Sequence, residues 1–148
     1  MDIEAALGRQ PAALSLDPAD VDVDKLHAFL TESYWARGRS LDQVRRSIAG
    51  SYVASVQRDG AMIGFARAVS DAAVFGYLMD IVVWPGHRGE GLGRRMVRAL
   101  LDRPELAGVP TWYLRTGDAQ GVYAPFGFQP LNDGLFMRMI RPPVAERS

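Results

Sequence analysis

The sequence predicts an α/β fold: a mixed, mostly antiparallel central sheet flanked by helices. Three observations carry this. Asp59-Gly60 is a strong two-residue turn between strand-like runs at 51–58 and 62–70, because both central positions tolerate positive φ. Ile81-Val82-Val83 is a β-branched run that leads through a glycine-rich turn into an amphipathic stretch and then a further strand. That crossover makes the two strands parallel neighbours. Ahead of the hairpin, apolar residues recur at helical spacing in two stretches.

Taken in order, Ala12 to Leu16 reads as a short first strand. Asp20 or Asp22 caps a helix in which Leu26, Phe29, Leu30 and Tyr34 share a face as far as Arg37, with Gly38 at its end. Tyr34 is expected in the core and Arg37 on the surface. Ser40 with Gln43 three residues on forms a capping-box pattern for a second helix, with Leu41, Val44 and Ile48 on one face and Gly50 closing it. The hairpin follows, and Gly64 within its second strand marks a close backbone approach. Phe75 to Val83 is the fourth strand. The helix from Gly91 buries Leu92, Met96, Val97 and Leu100 and turns Arg94, Arg95 and Arg98 outward, with Pro104 just past its end. Thr111 to Arg115 is the fifth strand, and Asp118 to Tyr123 a short helix stopped by Pro125. The last strand is expected at Leu135 to Ile140, pairing with Phe128-Gln129 across an Asn132-Asp133-Gly134 turn. The tail, residues 142–148, is expected to be mobile.

The 148 residues are expected to form one domain over 1–148. Lys+Arg and Asp+Glu are both 17, a balance that argues against a nucleic-acid partner. Cysteine is absent, which excludes disulfides and thiol chemistry and fits a cytoplasmic protein. The first residues lack the pattern of a signal peptide, and no apolar run spans a bilayer, so no membrane association is expected. No His/Asp/Glu spacing suggests a metal site, and no Gly-x-Ser-x-Gly elbow suggests a hydrolase.

The stretch Asp80 to Met96 carries most of the chemical information. A helix start presents backbone N–H groups without intrahelical partners and the positive end of the macrodipole. Gly89, Gly91 and Gly93 let an anion approach those groups, and Arg88, Arg94 and Arg95 add charge. A phosphate or diphosphate ligand is the simplest inference. The Walker pattern fails because Arg94-Arg95, not Lys-Ser/Thr, follows Gly93. The dinucleotide fingerprint fails because Arg94 or Met96 stands where its third glycine belongs. A turn that merely solves a packing problem is the bland alternative.

Arg88-Gly89-Glu90-Gly91-Leu92-Gly93 is an Arg-x-x-Gly-x-Gly turn after an apolar strand, and Ala119 to Phe128 holds a short helix ending in Tyr123 before a Gly127-Phe128 turn. Together, about thirty residues apart and in this order, they resemble the GCN5-related N-acetyltransferase (GNAT) family over roughly residues 50 to 140. The resemblance implies a GNAT-like acyl-CoA N-acyltransferase fold and acetyl-CoA as cosubstrate. It implies that Arg88, Gly89, Glu90, Gly91, Leu92, Gly93 and Arg94 hold the CoA diphosphate. It further implies that Ile81, Val82 and Val83, on a bulged and splayed fourth strand, line the pantetheine arm and supply an oxyanion donor near Val82. Ala119 and Tyr123 match the family's second motif, whereas Thr116 stands where many members have Asn. Homodimers are common in that family.

Such a site transfers an acetyl group from acetyl-CoA to a primary amine of a small molecule or peptide by direct attack. Tyr123 is the candidate acid for the leaving thiolate, since a phenol with a pKa of about 10 stays protonated at neutral pH; packing of its ring is the alternative. The base is harder to find. The family places Glu or His nine or eleven residues before the motif Arg, and here those positions are Met79 and Tyr77. Asp80 is adjacent, and is read either as the catalytic base or as a structural carboxylate bonded to backbone or arginine; a water relay is the third route. By strict alternation Asp80 faces away from Met79, unless a bulge intervenes. Tyr52, Trp35 and Trp112 are aromatic candidates for an acceptor pocket or for the core. The lack of Glu or His at 77 and 79 keeps open a second class, a non-catalytic acyl-CoA-binding sensor or assembly module. An interaction protein with a purely structural glycine turn is the third.

Overall fold

A computed structural model describes residues 11–142. It contains a five-stranded sheet in the order β1-β2-β3-β4-β5, formed by β1 (Ala13–Ser15), β2 (Tyr52–Arg58), β3 (Ala61–Ser70), β4 (Phe75–Val83) and β5 (Thr111–Tyr113). The first four strands are antiparallel, and β4 and β5 are parallel. This is the mixed, mostly antiparallel sheet expected. The helices are α1 (Val23–Glu32), α2 (Leu41–Ala49), α3 (Leu92–Leu101) and the one-turn α4 (Gln120–Tyr123).

Local chemistry explains most of these boundaries. The Asp22 carboxylate accepts from the Lys25 N–H and starts α1. Ser40 and Gln43 form the reciprocal capping box of α2. Asp59 and Gly60 have φ of 53° and 76°, the pair of positive values that a two-residue hairpin needs. A Cβ at Gly64 would lie 2.6 Å from Val56 Cγ2 across the hairpin and 3.3 Å from the Val82 carbonyl oxygen, so a side chain and the neighbouring backbone both approach closely there.

The sheet is covered on both faces. Met96, Val97 and Leu100 of α3 pack with Ala54, Val56, Ala66, Ala68 and Leu78 on one face. Leu26 and Leu30 of α1 and Val44 and Ile48 of α2 pack with Val53, Met62, Phe65 and Val82 on the other. Leu78 and Val82 therefore lie on opposite faces although they are four residues apart in β4, where regular alternation puts them together. The ladder gives the cause. Phe65 pairs with Val82 and Arg67 with Met79, so Asp80 and Ile81 oppose the single residue Ala66. Asp80 has φ +51°, a left-handed value that side chains other than Gly, Asn and Asp seldom adopt. This is a β-bulge, and it resets the side-chain phase of β4.

Several expectations are corrected. The first helix stops at Glu32, not near Arg37, because Ser33 is extended and its hydroxyl and N–H both turn back to the Leu30 carbonyl. Tyr34, expected in the core, is 77% exposed. The short helix ends at Tyr123 as expected but begins at Gln120 rather than Asp118, and Pro125 sits in a 3-10 turn, Ala124–Phe126, directly after it. Residues 128–142 contain no strand, so neither Leu135 to Ile140 nor its Phe128-Gln129 partner forms a ladder. Pro130 directly follows that partner and has no N–H to extend the pairing. Of the tail expected to be mobile, residues 143–148 lie outside the described residues.

Candidate functional site

The glycine turn links β4 to α3. Gly89 and Gly91 have φ of +85° and +77°, and a Cβ built on either meets no atom of the described residues within 4 Å. These glycines are needed for backbone conformation and leave open space in front of the turn, which is what an approaching diphosphate requires. Gly91 is the N-cap of α3 and offers no side chain to its first N–H groups. Gly93 is helical, and a Cβ there would only touch Ile81 Cγ2 at 3.8 Å. Arg88 is exposed, and its Nε donates to the Val83 carbonyl at 2.9 Å, which ties the cation back to the strand end. Arg94 is exposed on the first turn of α3, whereas Arg95 reaches the Ala12 carbonyl of the chain leading into β1. Leu92 faces the core.

Glu90 behaves differently from its glycine neighbours. Its carboxylate accepts from Arg58 through Nη2 at 2.7 Å and Nη1 at 3.1 Å, and Arg58 Nη1 also donates to His87 Nδ1 at 3.0 Å. The turn is thus tied to the last residue of β2.

Upstream, β4 pairs with β5 only over Phe75–Thr111, Gly76–Trp112 and Tyr77–Tyr113. Beyond Tyr77 and Tyr113 the two strands no longer share a ladder. The bulge at Asp80 and Ile81 lies in the part of β4 that has lost this neighbour, followed by Val82 and Val83 and then the turn. The Asp80 side chain is 2% exposed, and its Oδ2 accepts from Arg39 Nη1 and Arg67 Nε, each at 2.7 Å. Arg67 also donates to Ser51 Oγ at 3.1 Å, while His27 Nε2 meets the Arg39 carbonyl at 3.0 Å. The bulge therefore overrides strict alternation: Arg67 pairs with Met79 and bonds to Asp80, so both β4 residues serve the face covered by α1 and α2.

Tyr123 ends α4 and packs with Phe128, edge to face at 6.3 Å, against the face covered by α3. Burial, with the Asp118 charge adding to it, pushes its phenol above the ordinary value of 10.0, so it remains an O–H donor at neutral pH. Thr116 Oγ1 accepts from the Ala119 N–H at 3.0 Å and thereby organises the start of α4. Asp80 and Tyr123 thus belong to opposite faces of the sheet, and no contact joins them. The three aromatic acceptor candidates are not brought together either. Tyr52 and Trp112 pack on the α3 face, whereas Trp35 contacts Phe29 and Tyr34 by the loop after α1.

Sequence reasoning missed Arg39, Arg58 and Arg67. A signal existed for two of them. Arg67 interrupts the apolar run of β3 and Arg58 closes that of β2, and a charged residue inside such a run needs a buried partner. Arg39, in the loop between helices, carried none. Among the described residues no group of three or more His, Asp or Glu is arranged to hold a metal ion, and no helix is long and apolar enough to cross a membrane.

Comparison with known proteins bears on the same region. A family profile described as Acetyltransferase (GNAT) domain matches residues 49–130. A Glycine max histone acetyltransferase is 33% identical over 100 residues, covering 57% of this chain and 43% of that protein. The chain thus spans less than half the length of this curated relative. An N-acetyltransferase of Gracilaria tenuistipitata var. liui is 31% identical over 108 residues, covering 68% of this chain and 58% of its own length. The crystal structure of a Xanthomonas campestris pv. campestris protein assigned to the GNAT family superposes with a TM-score of 0.83 at 34% identity, covering 88% of this chain and 94% of that one. In fold alone the chain also resembles Neisseria gonorrhoeae N-acetylglutamate synthase complexed with coenzyme A and N-acetyl-glutamate. There the TM-score is 0.63 at 20% identity, with 81% of this chain covering 28% of that one.

Proposed function

Because this chain belongs to the GNAT acetyltransferase family, we propose that it is an N-acetyltransferase that moves the acetyl group of acetyl-CoA to a primary amine of a small molecule or peptide. The observation that carries the reading is the loss of pairing between β4 and β5 beyond Tyr77 and Tyr113, combined with the bulge at Asp80 and the glycine turn that follows. An extended pantetheine arm fits between strands that have parted. Gly89 to Arg94 would receive the diphosphate at the α3 N-terminus. The backbone of Ile81, Val82 and Val83 would line the arm, and a bulge redirects backbone N–H groups of the kind that stabilise an oxyanion.

Transfer forms a C–N bond and breaks a C–S bond, and a proton passes from the amine to the departing sulfur or its surroundings. Tyr123, a neutral phenol on the α3 face, is the proposed donor to the sulfur. Asp80 lies toward the opposite face, away from Tyr123. Asp80 Oδ2 is already shared by two guanidinium donors, and a proton from the amine would have to compete with them. We therefore assign Asp80 to holding the bulge, and assign amine deprotonation to water. Thr116, occupied by the Ala119 N–H, serves the cofactor by fixing α4.

The test is thiol release from acetyl-CoA in the presence of an amine panel, with melting shifts by CoA and acetyl-CoA measured alongside. Turnover on at least one amine is expected. Binding without turnover on any amine would support the alternative, a non-catalytic acyl-CoA sensor or assembly module, which the absence of Glu or His at 77 and 79 favours. No shift by either ligand would refute both.

Two finer points belong to the same reading. Lack of cysteine supports a cytoplasmic setting. A homodimer is supported by the arm at 135–140, where Leu135, Phe136, Met137, Met139 and Ile140 are all exposed, Met137 by 96%. Monomers rarely leave so apolar a segment in water. Phe136 already rests edge-on against Tyr113 of the edge strand β5, which places the arm beside a sheet edge that a second copy also carries. Sedimentation of the parent and of Met137→Asp would decide it; a parent that is monomeric at micromolar concentration refutes the dimer.

A further inference from the structure

Glu90 poses an electrostatic problem. A carboxylate sits between Gly89 and Gly91, at the mouth of a turn read as a diphosphate site, where a negative charge repels the ligand. The turn also carries positive φ at Gly86, Gly89 and Gly91, and a backbone with so much freedom loses more entropy when a ligand orders it. Both difficulties meet in Arg58. Its side chain is 5% exposed, its two terminal nitrogens grip both Glu90 oxygens, and Nη1 is shared with His87. A guanidinium can only donate, so His87 Nδ1 accepts. One buried cation at the end of β2 thus holds residues on both sides of Arg88.

We propose that Arg58 is a positioning residue for the diphosphate site: it pins the turn through Glu90 and His87 before ligand arrives and cancels the Glu90 charge beside the anion. The proposal rests on the acetyl-CoA reading above and extends it to a residue outside the motif. It explains why a glutamate stands in a phosphate-binding turn. Paired bidentately to arginine, it becomes a rigid tether with little net charge.

The test compares two acyl donors with the same thioester and pantetheine arm. Acetyl-CoA carries the diphosphate; S-acetylpantetheine does not. For Arg58→Gln, KM for acetyl-CoA should rise roughly tenfold, the scale of losing one charged contact and a preordered loop. Its kcat, and both constants for S-acetylpantetheine, should stay within about twofold. Equal losses with both donors, or none with acetyl-CoA, would overturn the proposal. Since Arg58 is buried and its variant could misfold, Glu90→Ala on the partly exposed turn is the second probe. Amide hydrogen exchange over residues 86–93 of the ligand-free variant should quicken at least about threefold while the rest of α3 is unchanged; unchanged exchange overturns the tether. If the unaltered protein bound neither CoA nor acetyl-CoA, the acyl-CoA reading would fail and the diphosphate role with it. Normal binding in the parent with unaltered KM and exchange in the variants would sink the tether alone.

Discussion

Replacing Asp80 by asparagine separates a structural carboxylate from a catalytic one. The change keeps shape and removes charge. It leaves Arg39 and Arg67, with side chains 19% and 9% exposed, facing a neutral amide where each had a carboxylate oxygen at 2.7 Å. Removing one partner of a buried ion pair costs about 3–5 kcal/mol. Asparagine still offers an acceptor, so the lower end applies, about 3 kcal/mol. For a domain of this size each kcal/mol lowers Tm by about 3 °C, which gives a fall of roughly 10 °C. The assay is thermal unfolding at fixed ionic strength, paired with the pH profile of kcat/KM for a turned-over amine. The expected result is the large fall in Tm with the shape of the pH profile preserved. A Tm within about 2 °C of the parent would show that the arginines do not depend on Asp80. Loss of the acidic limb in the variant would show that Asp80 takes the proton, and would refute the assignment of this residue to the bulge.

Tyr123→Phe should lower kcat by about a hundredfold, at the low end for a positioned acid, with KM for acetyl-CoA little changed; equal loss in both would point to packing alone. Because the Tyr123 pKa is raised in the folded state, the phenol costs nothing below its unfolded value and favours unfolding as pH rises past about 10. The parent should therefore lose more stability than the Phe variant between pH 10 and 11, which parallel melts would reveal. Gly91→Val forces φ +77° on a β-branched residue and puts its side chain into the open space before the turn; weaker acetyl-CoA binding by calorimetry is expected, and unchanged affinity would argue against a ligand there. Gly76→Ala sets a Cβ 2.4 Å from the Trp112 ring and should destabilise by about 1–3 kcal/mol in urea unfolding; no loss would mean the ring moves freely.

What could be read from the sequence was local. The Asp59-Gly60 hairpin, the Ser40–Gln43 capping box, the buried face of α3 and the glycine turn are each specified by residues a few positions apart, through φ preferences, a reciprocal cap and helical periodicity. The crossover between β4 and β5 followed from a general rule of chain handedness. The candidate diphosphate turn was legible for the same reason as the hairpin, since its glycines act through their own backbone.

Tertiary structure decided whatever depends on partners distant in sequence. Arg39 and Arg67 reach Asp80 across 41 and 13 residues, and Arg58 reaches Glu90 across 32, separations at which no periodicity operates. The phase of β4 changes at Asp80 because a carboxylate held by two arginines occupies a left-handed backbone position, and only the assembled sheet reveals the extra residue opposite Ala66. The strand expected at Leu135 to Ile140 failed for the converse reason. Apolar, strand-compatible residues form a strand only where another backbone offers its hydrogen bonds, and the two residues before Pro130 were too short an offer. Sequence determined most of the elements and marked the candidate diphosphate turn; the fold alone decided which charges surround the bulged strand β4.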